Sequence, residues 1–259
     1  MPRPMIMVSP TGARRQKCDH PGLPVTVAEI AAAARACADA GADAIHLHIR
    51  DGAGAHSLDA GLYREALAAV AEAAPGLERQ ITTEAAGRFT PADQLGCLKA
   101  VRPDYASAAI RELTQDGAAA REFYGFAAAE GIRLQHILYD ASDVVRLREA
   151  FANGLVPEDA REAIFVLGTY QPPRAGAPDA LGPLLAAADG LDLDWMVCAF
   201  GPTELACLSE ALHRGGHVRV GFENNIHHPD GRLADSIEAQ VAAIAAIRRE
   251  IFPHEETRP

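Results

Sequence analysis

The sequence predicts an α/β protein with the (β/α)8 barrel fold. Short apolar runs of strand length alternate with alanine-rich stretches of helical period along the chain. Eight such strand–helix units in 259 residues match the strand number and the length of a TIM barrel. An open doubly wound sheet is the competing architecture, but such sheets usually have fewer strands, and no GxGxxG sequence follows the first strand. We therefore expect residues 1–259 to form a single TIM-barrel domain.

Each predicted strand is a short apolar run that is followed by a helical stretch. In chain order the strands are MIMVS (5–9), DAIHLHI (43–49), RQITTEA (79–85), DYASAAI (104–110), RLQHILY (133–139), AIFVLG (163–168), DWMVCAF (194–200) and HVRVGFE (217–223). The first helix is predicted over residues 26–41, because Thr26 and Glu29 have the spacing of a capping box and Gly41 suits a helix C-terminus. The last helix, over residues 234–251, follows the eighth strand.

The composition excludes several classes of function. The formal net charge of −11 opposes binding to nucleic acid, which needs a face rich in Lys and Arg. No stretch approaches the roughly 18 apolar residues of a membrane helix, and the prolyl-broken apolar run near the N-terminus is too short for a signal peptide. We therefore expect a cytoplasmic protein without a nucleic-acid or membrane partner. The five cysteines lack CxxC spacing, which favours reduced thiols over disulfides or a zinc knuckle.

The second strand carries two histidines on one face. Side chains alternate across a strand, so His46 and His48 point to one side while Ile45, Leu47 and Ile49 point to the other. In a barrel the apolar side packs against the helices. The histidines then face the interior near the C-terminal end of the strand, where TIM-barrel active sites are formed. Taken alone, an H-x-H sequence favours a pair of hydrogen-bonded core histidines over a metal site.

The eighth strand favours a metal site over a structural histidine pair. Arg219 and Glu223 share one face of this strand, and Glu223 ends it at the same barrel mouth as the two histidines. Two imidazoles and one carboxylate form a zinc-ligand set that leaves one coordination position open for water or substrate. We therefore predict that His46, His48 and Glu223 bind Zn²⁺ or another divalent transition metal.

Four segments together resemble the β-keto acid cleavage enzyme family, whose founding activity is the cleavage of 3-keto-5-aminohexanoate. They occur in the same order over nearly the whole chain and are PTGA (10–13), AGADAIHLHIRDGAG (40–54), FVLG (165–168) and GGHVRVGFENN (215–225). The resemblance implies a TIM barrel, usually a homo-oligomer such as a dimer or tetramer, with zinc held by the two histidines and the glutamate. It also implies a retro-Claisen exchange in which a β-keto acid and acetyl-CoA give acetoacetate and a new acyl-CoA.

The implied chemistry gives Arg219 a role. A metal can hold the carboxylate and carbonyl oxygens of the keto acid while negative charge develops on them. Arg219 would add a guanidinium near that charge, in a geometry that fits a carboxylate. A structural ion pair of Arg219 with Glu84 or Asp51 is the alternative interpretation.

Two positions depart from the family pattern. The residue after the strand-eight ligand is usually an aspartate that acts as the base, but here it is Asn224, whose amide cannot accept that proton at neutral pH. The TGA turn is commonly followed by a glutamate that supports this base, but here Arg14 follows it. Both acids of that arrangement are therefore absent from this sequence.

The third strand offers a replacement base. Thr82 and Glu84 share a face of this strand, where many family members have a small Ser-Thr-Gly-Gly run. We predict that Glu84 is the general base and that Thr82 hydrogen-bonds the substrate. The alternative is that Glu84 forms an ion pair with Arg14 or Arg219.

Three further residues are predicted to contact the substrate. They are Arg14, which could meet a carboxylate of the keto acid, Thr11 in the PTGA turn, and Ser107 at a strand-four position that often carries a hydroxyl in the family. Arg14 also belongs to a small basic cluster with Arg15 and Lys17, which could contact the phosphates of CoA. A charge cluster of this kind in a loop is more often simply solvated.

Two other functions remain open on the sequence. One is a CoA-independent, metal-dependent hydrolase or aldolase. Typical barrel hydrolases, however, carry H-x-H on the first strand and further histidines on strands five and six, where this chain has His136. The other is a non-catalytic descendant that binds metal and a keto acid but cannot deprotonate it, which Asn224 and Arg14 would suggest.

Overall fold

The computed structural model describes residues 3–170 and 172–253, so the predicted single domain of residues 1–259 extends beyond the described part at both ends. Within that part the strands are β1 (Ile6–Val8), β2 (Ala44–Leu47), β3 (Ile49–Arg50), β4 (His56–Ser57), β5 (Glu78–Thr82), β6 (Tyr105–Ala109), β7 (Arg133–Leu138), β8 (Glu162–Leu167), β9 (Asp194–Ala199) and β10 (His217–Val220).

Eight of these strands form a closed parallel barrel, in the order β1-β10-β9-β8-β7-β6-β5-β2. The helices that follow them are α1 (Val27–Asp39), α2 (Ala60–Ala73), α3 (Pro91–Val101), α4 (Ile110–Leu113), α5 (Gly117–Glu130), α6 (Ala141–Ala152), α7 (Leu181–Ala187), α8 (Glu204–His213) and α9 (Ile237–Ile251). The predicted (β/α)8 barrel is therefore confirmed.

The first and last helices begin at side-chain caps. Thr26 Oγ1 accepts the N–H of Glu29 at 3.3 Å, and the Glu29 carboxylate accepts the N–H of Thr26 at 3.0 Å, so the predicted capping box is present. Helix α9 begins at Ile237 rather than at residue 234, because the hydroxyl of Ser236 caps it by accepting the N–H of Ala239 at 3.3 Å.

The alternation of side chains on β2 is as predicted. Ile45 and Leu47 pack in the apolar layer between the strands and the helices. The opposite side faces the barrel interior, where Met7 and Ala44 belong to a second apolar cluster and His46 is 1% exposed. Because the strands pack this way, the H-x-H sequence brings both imidazoles to the interior side of the barrel mouth.

All eight predicted strands end earlier in the structure than in the sequence interpretation, five of them by one residue and three by two or three residues. β2 ends at Leu47, β5 at Thr82 and β10 at Val220. His48 is the single residue between β2 and β3, while Glu84 and Glu223 lie in the connections after β5 and β10. Their predicted placement within strands was therefore wrong, although each is at the C-terminal mouth. In β10 the cause is Gly221, whose φ of +144° ends the alternation at a point where a Cβ would lie 2.6 Å from the carbonyl oxygen of Ser9.

Strands β3 and β4 form a small antiparallel hairpin directly after His48. Arg50 pairs with His56, and the connecting turn is closed by Asp51, whose Oδ1 accepts the N–H groups of Ala53 and Ala55 at 3.0 and 2.9 Å. The hairpin thereby returns the chain to the barrel mouth.

The five cysteines are free thiols, of which Cys18 is exposed and the other four are buried. Burial raises the pKa of Cys37 and of Cys97 to about 12, so both thiols are protonated at neutral pH. No helix in the described part of the chain combines the length and the apolar character needed to cross a membrane.

Candidate metal centre and active site

Three side chains converge at the mouth of the barrel. Glu223 Oε2 lies 3.6 Å from His46 Nε2 and 3.6 Å from His48 Nε2. One possible ligand atom from each of the three residues lies within 4.8 Å of the others, and all three residues are buried. The structure thus brings together the three residues that the sequence predicted as ligands, while metal binding itself stays a prediction.

The buried polar atoms at this point fit a bound cation. Both ring nitrogens of His48 and Oε2 of Glu223 are buried and have no hydrogen-bond partner among the described residues. Each buried polar atom that has no hydrogen-bond partner destabilises the folded protein by about 1–3 kcal/mol. A cation between the three side chains would satisfy His48 Nε2 and Glu223 Oε2, and the donor set is the one that zinc prefers.

A hydrogen bond on its other ring nitrogen orients His46. Nδ1 of His46 lies 2.6 Å from Oε1 of Gln80 on β5, and Gln80 Nε2 donates to Gln135 Oε1 at 3.2 Å. Because Gln80 Oε1 is an acceptor, Nδ1 carries the hydrogen and Nε2 presents its lone pair to the site. Burial, aided by the charge of Arg219, holds the pKa of His46 well below its ordinary value, so the ring is neutral.

A buried arginine keeps Glu223 ionised. Arg219 Nη2 donates to Glu223 Oε1 at 2.9 Å and to Asn224 Oδ1 at 3.2 Å. Burial alone would raise the pKa of Glu223, but the charge of Arg219 and the two nearby imidazoles outweigh it and hold that pKa well below its ordinary value. Arg219 thus pairs with the candidate ligand, rather than with Glu84 or Asp51, and leaves Oε2 facing the histidines.

The turn after β10 is held from two sides. Arg15 donates from Nη1 and Nη2 to the carbonyl oxygens of residues 222–224, at 2.5, 3.0 and 3.2 Å in chain order. Glu204, at the buried start of α8, accepts the N–H of Gly221 and the side-chain amide of Asn225 at 3.2 Å each. The guanidinium of Arg15 therefore binds main-chain carbonyl oxygens. This use of its donors argues against the prediction that the basic cluster binds the phosphates of CoA.

Gly12 allows the turn after β1 to pass beside Glu223. Its φ is +65°, and a Cβ at this position would lie 2.7 Å from Glu223 Cγ. We expect Gly12→Ala to displace the Glu223 side chain and to weaken Zn²⁺ binding by about 10–100-fold, as other losses of ligand orientation do. Chelator competition measures this affinity.

The matched control is Gly131→Ala. Gly131 has a similar φ of +69°, but no atom beyond the adjoining stretch of chain lies within 4 Å of the point that a Cβ would occupy there. This variant carries the same backbone strain as Gly12→Ala and should lose stability without losing metal affinity. Equal Zn²⁺ affinities for the two alanine variants would contradict the steric role of Gly12.

Glu84 lies on a turn whose main chain is hydrogen-bonded at successive positions. The N–H of Glu84 donates to Thr82 Oγ1 at 3.0 Å, and its carbonyl oxygen lies 2.9 Å from His56 Nε2. The following N–H donates to the Glu112 carboxylate at 2.9 Å. Ala86 then adopts a φ of +50°, an uncommon conformation for a residue with a Cβ. Such a tightly determined, strained turn is typical of functional sites.

The carboxylate of Glu84 reaches the candidate metal centre. Its Oε2 lies 3.9 Å from His48 Nε2, and the side chain is 16% exposed. Burial raises the pKa of Glu84 and the charge of Glu223 acts in the same direction, against the opposing influence of His48 and Arg14. A carboxylate with a raised pKa is suited to taking up and returning a proton near neutral pH.

The three candidate ligands line one cavity of about 280 Å³, and Thr82 and Glu84 line the same cavity. Asn224 and Arg14 also line it, and Arg14 lies over the ring of Tyr170 at 5.3 Å. The apolar part of the cavity wall is formed by Ile137, Tyr139, Val166, Tyr170 and Phe200. An apolar wall facing a few convergent polar groups is the usual character of a small-molecule site.

Two predicted substrate contacts do not line this cavity. Thr11 and Ser107 are buried, and their hydroxyl groups have no partner among the described residues. Lys17, the third member of the predicted basic cluster, pairs with Glu29 at 2.7 Å. Of the residues predicted after β1, only Arg14 therefore has its side chain at the cavity.

The sequence interpretation missed several residues that surround the site. Gln80 shares a face of β5 with Thr82, so the alternation of that strand was a usable signal for it. His56 and Tyr170 gave no such signal, because His56 follows a Gly-rich turn and Tyr170 lies at the start of a Pro-rich loop, and the sequence does not define the path of either. The hydroxyl of Tyr170 donates to the carbonyl oxygen of Glu223 and so adds to the support of that turn.

Comparison with known proteins identifies the family of this sequence. The sequence profile of the beta-keto acid cleavage enzyme family matches residues 4–258. The 3-oxoadipate:acetyl-CoA acetyltransferase of Cupriavidus necator is 28% identical over 269 residues, covering 95% of this chain and 88% of that protein. The 3-keto-5-aminohexanoate cleavage enzyme of Fusobacterium nucleatum is 27% identical over 270 residues, covering 100% of this chain and 97% of that protein.

Solved structures share the barrel at lower sequence identity. A binary complex of ObcA with oxaloacetate has a TM-score of 0.66 at 16% identity and covers 87% of this chain, which spans 63% of the ObcA chain. A type I 3-dehydroquinate dehydratase from Clostridium difficile has a TM-score of 0.63 at 13% identity, covering 97% of this chain and 94% of that one. These structures show the fold alone. The family profile extends over nearly the whole sequence, and the chain therefore belongs to the beta-keto acid cleavage enzyme family.

Proposed function

We propose that the protein catalyses a metal-dependent exchange between a β-keto acid and acetyl-CoA, giving acetoacetate and a new acyl-CoA. The observation that carries this proposal is the meeting of three metal-ligand side chains and the Glu84 carboxylate in one cavity. Relatives named for acetyl-CoA transfer, acting on 3-oxoadipate and 3,5-dioxohexanoate, support the choice of co-substrate.

The metal would be held by His46, His48 and Glu223. Two imidazoles and one carboxylate suit Zn²⁺, although other divalent transition metals accept the same ligands. When bound, such an ion supplies Lewis-acid polarisation of carbonyl and carboxylate oxygens. The protein contributes the neutral, oriented His46 ring and a Glu223 carboxylate that stays ionised beside Arg219.

Glu84 takes and returns the proton in this proposal. Removing a proton from the carbon between the keto and carboxylate groups gives an enolate, which attacks the thioester carbonyl of acetyl-CoA and expels the CoA thiolate. The thiolate then attacks the original keto carbon, and cleavage of the adjacent carbon–carbon bond releases the new acyl-CoA and the enolate of acetoacetate. Protonated Glu84 returns its proton to that enolate, so the base is regenerated.

The other polar groups of the cavity stabilise and position the reactants. Arg219 places a buried positive charge where oxygens become negative. Thr82 accepts the N–H of Glu84 and can donate its own hydroxyl hydrogen to the substrate. Asn224 offers an amide in place of the usual acid, and Arg14 can meet an anionic group on the substrate at the cavity mouth. Thr11 and Ser107 have no part in this proposal because neither lines the cavity.

The test is to mix protein of known metal content with acetyl-CoA and a panel of β-keto acids, and to follow acetoacetate and new acyl-CoA by mass spectrometry. We expect both products from at least one keto acid, in equal amounts, and neither product after chelation or without acetyl-CoA.

The controls separate the competing functions. Cleavage of a keto acid without CoA would identify a hydrolase or aldolase instead. Thermal stabilisation by keto acids without any product would identify a non-catalytic binding protein. Either result would overturn the proposed exchange reaction.

A further inference from the structure

His56 contacts both the main chain of the proposed base Glu84 and the ring of the proposed metal ligand His48. We propose that His56 is a positioning residue, which fixes the main chain of Glu84 through one ring nitrogen and accepts the N–H of His48 through the other. This inference rests on the proposed metal site, and it assigns a role to a residue that the reaction scheme above does not use.

The first ring nitrogen holds the turn that carries Glu84. Nε2 of His56 lies 2.9 Å from the carbonyl oxygen of Glu84. A carbonyl oxygen only accepts, so Nε2 carries the hydrogen of the ring. Together with the hydrogen bond from the Glu84 N–H to Thr82, this contact fixes both main-chain polar groups of Glu84.

The second ring nitrogen of His56, Nδ1, is an acceptor near Nδ1 of His48, which becomes an unpaired donor when His48 binds a metal. In a neutral ring with hydrogen on Nε2, Nδ1 of His56 has a free lone pair, and this buried atom has no partner among the described residues. Nδ1 of His48 is also buried without a partner. When His48 binds a metal through Nε2, its Nδ1 carries the hydrogen and becomes a donor.

The distance between the rings allows this pairing. Their centroids are 5.1 Å apart with an interplanar angle of 49°. A rotation of the His48 ring about its Cβ–Cγ bond, or one bridging water, connects the donor of His48 to the acceptor of His56. The pairing would give His48 the kind of outer partner that Gln80 gives His46.

The ring of His56 is itself held in place. The residue is 2% exposed, and its ring meets the edge of Phe89 at a centroid distance of 5.7 Å. Its carbonyl oxygen accepts from Arg88 Nη1 at 2.8 Å, and its strand pairs with Arg50 in the hairpin. A ring immobilised in this way can orient its neighbours rather than follow them.

The experiment replaces the two functions of the ring one at a time. His56→Phe keeps a buried ring but removes both hydrogen bonds, and we expect it to weaken Zn²⁺ binding by about 10–100-fold and to lower kcat at saturating Zn²⁺ by a similar factor. His56→Gln returns a donor near the Nε2 position, so kcat should recover while the Zn²⁺ affinity stays low. His56→Asn returns an acceptor near the Nδ1 position, so the affinity should recover while kcat stays low.

His136→Phe is the matched control for a merely structural effect. His136 is 1% exposed, and its Nε2 lies 3.1 Å from the carbonyl oxygen of Ala160, while its ring packs beside Tyr124 and Phe151. Its replacement should lower the melting temperature as much as His56→Phe does, with no change in Zn²⁺ affinity.

The Zn²⁺ affinity, measured by chelator competition, decides the inference without reference to the reaction. A His56→Phe protein that binds Zn²⁺ within twofold of the wild type, or a wild type that binds no Zn²⁺, would overturn the role of His56. Weakened binding in His56→Phe, together with no exchange by the wild type on any keto acid, would instead overturn the proposed reaction and leave the metal-positioning role standing.

Discussion

Replacing His48 with glutamine is expected to abolish tight metal binding and to lower kcat/KM of the exchange reaction by about 10²–10⁴-fold. Lewis-acid stabilisation of developing negative charge is worth several kcal/mol, and each 1.36 kcal/mol corresponds to about a factor of ten in rate. His48 is the most informative ligand to change, because neither of its ring nitrogens has a hydrogen-bond partner among the described residues. Its replacement therefore removes a ligand and breaks no hydrogen bond other than the proposed one to His56.

Glu223 would be a less selective choice. Its carboxylate pairs with Arg219, whose side chain is 4% exposed, so Glu223→Gln removes a ligand and also leaves a buried positive charge without its partner. Breaking a buried ion pair in this way costs about 3–5 kcal/mol. We expect Glu223→Gln to lose both metal and stability, and His48→Gln to lose metal alone.

Metal content by elemental analysis and melting temperature with and without a chelator measure the effect of His48→Gln. A ligand that binds only the folded state stabilises it, so chelation should lower the melting temperature of the wild type and leave that of His48→Gln unchanged. His227→Gln, a half-buried histidine of the loop after β10, is the control and should behave as the wild type. Full metal content in His48→Gln would refute the assignment of this ligand.

The barrel was predictable because its signals are local and repeated. The alternation of Ile45 and Leu47 with His46 identifies the two faces of β2 from sequence alone, and the packing agrees. The strand ends were less predictable, because they depend on contacts between distant segments. Gly221, for example, ends β10 where the main chain of Ser9 comes too close for a side chain.

The candidate metal ligands were predictable for the same reason, whereas their surroundings were not. His46, His48 and Glu223 each lie in, or just after, a parallel strand whose C-terminal end meets the same barrel mouth, so the topology brings them together. The partner of Arg219 depended on which carboxylate lay within reach, and the sequence did not favour Glu223 over Glu84. The position of His56 depended on the β3–β4 hairpin, which could not be predicted because its sequence contains no apolar run of strand length.

Replacing Glu84 with glutamine is expected to lower kcat by about 10²–10⁴-fold while leaving Zn²⁺ affinity and KM nearly unchanged. The amide keeps the size of the side chain but cannot accept a proton at neutral pH. Proton removal can be measured without acetyl-CoA, by following the exchange of the keto acid's proton for deuterium in D₂O by NMR. Glu84→Gln should stop this exchange beyond the uncatalysed rate.

Glu112→Gln is the matched control for the loss of charge in the cavity. Burial raises the pKa of Glu112 to about 7, so this carboxylate is the other candidate in the cavity for a proton acceptor. Its Oε2, however, already accepts the N–H of Ala85 at 2.9 Å and the side-chain amide of Gln94 at 3.0 Å, and a glutamine can keep an acceptor oxygen there. We expect less than about a tenfold loss of kcat. A larger loss than that of Glu84→Gln would transfer the role of base to Glu112.

Restoring the acid at position 224 tests whether Glu84 has replaced it. Asn224 lines the same cavity and accepts from Arg219 Nη2 through Oδ1 at 3.2 Å, so an aspartate there would keep that hydrogen bond and gain basicity. Asn224→Asp in the Glu84→Gln background should therefore recover part of the lost deuterium exchange, whereas Asn224→Gln should not. If neither variant recovers exchange, position 224 cannot serve as a base in this cavity. Recovery by both would mean that the effect is steric and that proton transfer does not pass through a carboxylate at either position.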